Sequence, residues 1–482
     1  MKSRSAAALC LVSLLAGCGG DGGGSGNPVA SGPTPTPAPS PTTSACSLDS
    51  RQSWAAAELR EWYLFPDTLP ASLDASRYAG VQDYIDALTA TARAQNKDRN
   101  FTYITSIAEE NAYYASGSSA GFGFRLGIDP GAARMFVIEA FEGTPALEAG
   151  IDRGTEILAI GRPGTALRTV SSLFASGGAQ ALSDALGGEQ AGDTRVLRVR
   201  APDGAERDVT LSPRDFELTP VSPRYGVTVI EDEGRRVGYI NLRTFISTAD
   251  QPLRDGFARM RAAGITDFII DFRYNGGGLV ATANLMGDLL GANRQRSEVF
   301  NYTTFRREKS SENRTDYFTP QPQSVAPTRI AFIGTGGTAS ASELVINAMI
   351  PYLRANVALI GTNTYGKPVG QIARDRAACD DRLRVVAFAA QNADRQGEYY
   401  NGLAPVMPAT CQANDDISYP LGDPREASVR QALAFIAGRS CTPIGGASAT
   451  ASAAHSRNVA VSRNLLTPVR PTTFQRETPG AF

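Results

Sequence analysis

Between Gly226 and Ile436 short apolar runs alternate with segments of helical periodicity, and few folds accept that order: RVGYINL, a helix over 252–263, TDFIIDFR, a helix over 279–290, RIAFIGT, a helix over 341–354, VALIGT and then RLRVVAFAAQ. Strands this uniformly rich in Ile, Val and Phe need cover on both faces, and helices in the connections supply it. The pattern predicts an α/β layer arrangement, with function expected where strands end and loops begin.

The flanks read differently. From Ser47 to Tyr114 the chain reads as helices: SWAAAELREWYLFP carries Trp54, Leu59, Trp62 and Tyr63 at near-helical spacing before Pro66, and YAGVQDYIDALTATARA follows. From Gly117 to Pro213 short strands are punctuated by Gly and Asp-Gly, as in GFGFRLGI, RMFVIEAF, TEILAIG and RVLRVRAPDGAERDVTL. With 482 residues and tails rich in small residues, two or three domains are expected at about 150 residues per domain.

Lys plus Arg is 47 against Asp plus Glu 48, so no general attraction to nucleic acid is expected. The one histidine, His455, lies in an Ala/Ser-rich stretch, which argues against a Ser-His-Asp or Cys-His mechanism and against a histidine-built zinc site. Only four lysines occur, Lys2, Lys97, Lys309 and Lys367, so a lysine where this chain would ordinarily use arginine invites a chemical reason.

Residues 1–18, MKSRSAAALCLVSLLAGC, have the layout of a secretory signal, and the apolar run is too short for a stable membrane span. Its end, Leu15-Ala16-Gly17-Cys18, resembles the lipobox of bacterial lipoproteins, which implies lipidation at Cys18. Gly19 is not the Asp that retains such proteins in the inner membrane, so the resemblance implies an outer-membrane anchor facing the periplasm. Residues 19–45 form a Gly-rich then Pro-rich tether. In that oxidising compartment Cys46, Cys379, Cys411 and Cys441 permit two disulfides in three pairings; Cys379 with Cys411 and Cys46 with Cys441 is the expected one.

Two strand ends stand out. Strand TDFIIDFR runs into Tyr274-Asn275-Gly276-Gly277-Gly278, whose glycines let backbone amides approach a substrate, as an oxyanion hole requires. Strand RIAFIG runs into Thr335-Gly336-Gly337-Thr338-Ala339-Ser340-Ala341-Ser342-Glu343 and a helix, where a serine meets positive dipole potential. Ser340-x-x-Glu343 also reads as a simple capping box. A loose GxGxxA dinucleotide fingerprint is present but lacks its acid, and the GxSxG elbow of α/β-hydrolases is missing. After VALIGT, Gly366 and Pro368 frame Lys367. A buried lysine can lose its proton near neutral pH and serve a serine as base; an arginine could not.

Gly121-Phe122-Gly123-Phe124 resembles the carboxylate-binding loop of PDZ domains, and TPALEAGIDRGTEILAIG resembles their helix-turn-strand. Together with DFRYNGGG, TASASE and TYGKPVGQ, in this order, the chain resembles the carboxy-terminal processing, or tail-specific, proteases over roughly residues 50–436. The resemblance implies a Ser-Lys dyad: Ser340 as nucleophile with Ser342 the alternative, Lys367 as general base, Gln371 orienting the lysine, and the amides of Gly277 and Ala341 as oxyanion hole. Gly276 and Pro368 depart from the residues usual in that family.

The expected organisation is an α/β multidomain protein: signal 1–18, linker 19–45, helical region 47–115, inserted β-rich PDZ domain 116–214, α/β protease core 215–441 and a disordered tail 442–482. The expected activity is endopeptidase cleavage of unfolded or C-terminally tagged proteins, with no cofactor and no metal. Expected partners are protein or peptide substrates with free C-termini and the membrane through Cys18. The rival is a non-catalytic, PDZ-based peptide-binding lipoprotein. The chain's own end, Pro479-Gly480-Ala481-Phe482, could enter such a groove.

Overall fold

The computed structural model describes residues 45–187, 192–445 and 463–482; the leader, most of the tether, Cys18 and His455 lie outside them. Four of the apolar runs of the C-terminal half, RVGYINL, TDFIIDFR, RIAFIGT and VALIGT, enter one six-stranded sheet in the order Val227–Asp232, Arg235–Asn241, Asp267–Asp271, Arg329–Gly334, Val357–Gly361, Thr410–Gln412, whereas RLRVVAFAAQ joins a separate sheet. The first pair is antiparallel and the rest are parallel. Helices Asp250–Ala262, Val280–Leu289 and Ala341–Leu353 bury Phe257, Met286 and Val345 with Phe268, Ile270 and Phe332 on one face. Helix Ala427–Ile436 covers the other, setting Val429 and Leu433 against Ile269, Ile333 and Ile360. Each such side chain stabilises the fold by about 1.5–3 kcal/mol through burial, which is why the alternating pattern holds its layers.

A second, five-stranded sheet joins Tyr103–Ser106, Asp381–Gln391, Val299–Phe305 and Arg314–Tyr317, with Val369–Arg376 also paired to Asp381–Gln391. Helices Leu48–Trp62 and Val81–Leu88 pack on it through Leu59, Tyr63, Ile85 and Leu88. Region 47–115 is therefore not purely helical: Tyr103, Ile104 and Thr105 are residues that suit a pleated surface, and they pair with Arg382–Arg384 instead of continuing a helix.

The β-rich unit is a seven-stranded sheet containing Phe124–Asp129, Arg134–Ala140, Glu156–Gly161, Arg195–Arg200 and Glu206–Leu211, packed against helix Val170–Leu186. That helix is broken at Gly177 and Gly178. A short pairing of Ser118–Gly121 with Arg214–Glu217 closes its base.

Two expectations need correction. The disulfides are Cys46–Cys379 and Cys411–Cys441. Folding brings Cys46, ahead of the first helix, to the turn before Asp381, while Cys441, just past helix Ala427–Ile436, returns to the edge strand carrying Cys411. Cys441 lies about as close to Cys411 in sequence as Cys379 does, so spacing could not choose between the two pairings. Residues 463–482 are also not a solvated extension: Asn464–Leu465 pairs with Phe124–Asp129, Thr473–Glu477 is helical, and Phe474 and Phe482 are each 5% exposed. Leu466, Phe474 and Phe482 supply the burial that the polar composition of the tail concealed.

Candidate active site

Three loops at the carboxyl ends of parallel strands meet. The loop after Asp267–Asp271 is anchored by Arg273, whose guanidinium pairs with Asp271 at 2.9 Å and Glu426 at 3.0 Å, all fully buried. The loop after Arg329–Gly334 docks on it, Thr338 Oγ1 donating to the Phe272 carbonyl at 2.8 Å and the Ala339 amide to the Asn275 carbonyl at 3.0 Å. Ser340 then opens helix Ala341–Leu353 with φ 55° and ψ −115°, a backbone conformation that L-residues rarely adopt. This half-buried serine stands in the positive field of the helix start. Ser342, two residues on, is fully buried and its hydroxyl is committed to the Asn275 carbonyl at 3.1 Å.

Gly277 lies against the serine so closely that a Cβ there would come within 2.7 Å of Ser340 Cβ and 3.0 Å of the Ala341 nitrogen. Its amide donates to Asn275 Oδ1 at 2.9 Å, whereas the Ala341 amide makes no hydrogen bond among the described residues. The Gly276 amide is engaged by the Glu477 carbonyl at 2.9 Å.

The loop after Val357–Gly361 delivers Lys367, and Glu343 ties it to the serine. The Glu343 carboxylate accepts from Thr364 Oγ1 at 2.6 Å, the Gly366 amide at 2.7 Å, the Lys367 amide at 2.7 Å and the Ser340 amide at 3.1 Å. Burial raises its pKa and these donors oppose the rise. Read from sequence as the far arm of a capping box, Glu343 is also a strut between two loops; only the tertiary pairing of residues 343 and 364–367 reveals it.

Lys367 Nζ donates to Gln371 Oε1 at 2.8 Å and sits 5.2 Å from the centre of the Phe101 ring; Gln371 in turn donates to the Phe101 carbonyl. Among the described residues the amine's hydrogen bond goes to Gln371 and not to Ser340. The side chain keeps some access to the cleft, but its amine is enclosed, and that burial lowers its pKa below the ordinary lysine value; Glu477 pulls part of the way back. Phe101 and Glu477 carried no sequence signal for this role.

The four residues of the GFGF stretch lie elsewhere, at the edge of the β-rich unit. Phe122 and Phe124 are buried core with rings 5.7 Å apart, while the amides of Gly123 and Phe124 donate to the Phe482 carbonyl at 2.8 and 3.3 Å. Gly123, at φ 82°, has no room for a Cβ against Thr144.

Residues 236–405 match the model of peptidase family S41, so this similarity falls on the strand ends just described. The chain is 27% identical over 319 residues to the chloroplastic carboxyl-terminal-processing peptidase 3 of Arabidopsis thaliana, covering 65% of this chain and 58% of that protein. It is 26% identical over 262 residues to the carboxyl-terminal-processing protease of Synechocystis, covering 52% and 54%. The chain thus spans a little over half the length of these curated relatives. A crystal structure of an S41 protease from Bacteroides fragilis superposes with a TM-score of 0.60 at 21% identity, over 80% of this chain and 97% of that one, which establishes a similar fold.

Proposed function

We propose that this protein is a serine endopeptidase of the carboxy-terminal processing kind. The observation that carries the reading is the junction of Ser340 and Lys367: a serine in a strained turn at a helix start, tied through one buried carboxylate to the loop of a lysine whose amine burial favours in its neutral form.

In this mechanism Lys367 Nζ turns from Gln371 to take the Ser340 proton as the hydroxyl attacks the scissile carbonyl. The developing oxyanion is met by the Ala341 amide and by the Gly277 amide once Asn275 Oδ1 yields it. Lys367 returns the proton to the departing amine and then activates the water that hydrolyses the acyl-enzyme. The fully buried Ser342, held by Asn275, supports assigning the nucleophile to Ser340.

The β-rich unit acts as a PDZ domain that holds a substrate's free carboxylate at Gly121–Phe124. A leader ending in Cys18 would anchor the protein by lipid in the cell envelope, on the periplasmic side of the outer membrane; the two disulfides accord with an oxidising compartment.

The test is digestion of unfolded β-casein by the purified chain between about pH 6 and 10. Cleavage that is lost in Ser340→Ala and Lys367→Ala but retained in Ser342→Ala supports the dyad. A chain that binds C-terminal peptides yet cleaves nothing would instead be a peptide-binding scaffold.

A further inference from the structure

The last twenty residues use the free edge of strand Phe124–Asp129 twice. Asn464 and Leu465 pair with Ile128 and Gly127, and the Leu466 amide donates to the Leu126 carbonyl at 3.0 Å. The chain leaves the edge at residue 467 and returns to it at Gly480. There the Leu126 amide donates to the Gly480 carbonyl at 2.8 Å, the Phe482 amide to the Phe124 carbonyl at 3.0 Å, and the Gly123 amide to the Phe482 carbonyl at 2.8 Å. This is strand addition by residues 464–466 and 480–482 at a glycine loop, with the Phe482 ring seated among the buried side chains of the β-rich unit.

The excursion between the two pairings crosses the candidate active site. Helix Thr473–Glu477 plugs in Phe474 against Phe141 and Phe216, with ring centres 6.3 and 5.8 Å apart, and lays Arg476 over the Tyr103 ring at 3.8 Å. The Glu477 carbonyl takes the Gly276 amide, and a Cβ on Gly276 would meet the Arg476 carbonyl oxygen at 2.2 Å, so a second backbone cannot lie there. Under this roof remains a cavity of about 810 Å³, bounded by Lys367, Ala339 and Tyr365 on one side and by Pro468, Arg476 and Glu477 on the other. The fit is also held at an electrostatic cost: burial raises the Glu477 carboxyl, and departure of the tail would relieve it.

We infer that residues 463–482 are a built-in competitor for the peptide path, with Phe482 occupying the carboxylate loop and helix Thr473–Glu477 roofing Lys367. A free C-terminus ending in a bulky apolar residue opens the site by displacing this tail. The inference rests on the peptidase reading for its consequence, but the occupancy itself does not. A tethered ligand has an effective concentration of order mM, so an intrinsic dissociation constant below about 0.1 mM would keep the groove more than about 90% closed.

The test uses full-length chain in mild detergent carrying Ser340→Ala, titrated with fluorescein-Thr-Pro-Gly-Ala-Phe as free acid and as C-terminal amide. With Phe482→Asp, or with residues 480–482 deleted, the free acid should bind at least about tenfold tighter than to the parent, and the amide should bind weakly to all. Equal binding by parent and released variants would overturn the inference. Should the variants fold poorly, saturating the parent with the free-acid peptide should speed hydrogen exchange at the Leu466 and Phe482 amides; unchanged exchange overturns it too. With Ser340 restored, the released variants should digest β-casein several-fold faster. Tighter peptide binding with no digestion by any variant supports the tail's occupancy and overturns the peptidase reading, whereas digestion with no effect of tail release does the reverse.

Discussion

Glu343 offers the sharpest test of positioning at the residue scale. Its four donors come from two loops, so Glu343→Gln replaces one acceptor oxygen by an amide group that cannot accept. A loss of about 1–3 kcal/mol in stability is expected, with kcat falling at least about tenfold and KM changing little, measured by urea titration and by initial rates on a casein substrate. Lys367 makes a second prediction. In the proposed mechanism its amine must be neutral to act, and burial holds its pKa below the ordinary 10.5, so activity should rise with pH to a plateau with a midpoint below that value. Glu477, on the docked tail, favours the protonated amine; Glu477→Gln should therefore lower the Lys367 pKa in the tail-bound chain, read by NMR titration of the labelled lysine, and an unmoved titration would show that the two groups are uncoupled.

At the scale of elements, the strand-loop-helix units present the chemistry and the cross-links hold their flanks. Cys411 sits in the edge strand Thr410–Gln412 and Cys441 just beyond helix Ala427–Ile436, so this bridge pins the helix that covers one sheet face. Its separation of 30 residues predicts that the Cys411→Ser, Cys441→Ser double variant loses about 3–4 kcal/mol by the chain-entropy account, read by urea unfolding. Peptide mapping without reduction should recover the Cys46–Cys379 and Cys411–Cys441 pairs.

At the scale of the whole molecule, buried arginines join the β-rich unit to the central sheet. Arg153 reaches Asp415 at 2.8 Å, and Arg243 reaches Glu139 at 2.6 Å and Glu142 at 2.7 Å. Burial alone would raise these carboxyls, but Arg153 and Arg273 bring Asp415 down to about 2, and Arg243 brings Glu142 down to about 2. Depressed carboxylates stabilise the folded state above their ordinary values of 3.8 and 4.5, and that stability fades as pH falls towards about 2. Thermal midpoints should thus be level from neutral pH to about pH 5 and drop below it; Asp415→Asn should start lower at neutral pH and fall less steeply.

What the sequence determined by itself is what local pattern can encode. Apolar runs of strand length alternating with helical periodicity specify a covered parallel sheet, because no other arrangement buries both faces. A lysine between Gly366 and Pro368, in a chain with only four lysines, singles out Lys367 as a candidate position for proton loss. Tertiary structure decided which cysteines meet, since Cys379 and Cys441 flank Cys411 at nearly equal distances along the chain and spacing cannot choose between them. It decided that Glu343 spans two loops, a relation between residues 343 and 364–367 that periodicity cannot express. It also decided the fate of the tail: Phe474 and Phe482 are isolated apolar residues in a polar stretch, and only a groove built from residues 122–141 and 216 gives them something to bury against.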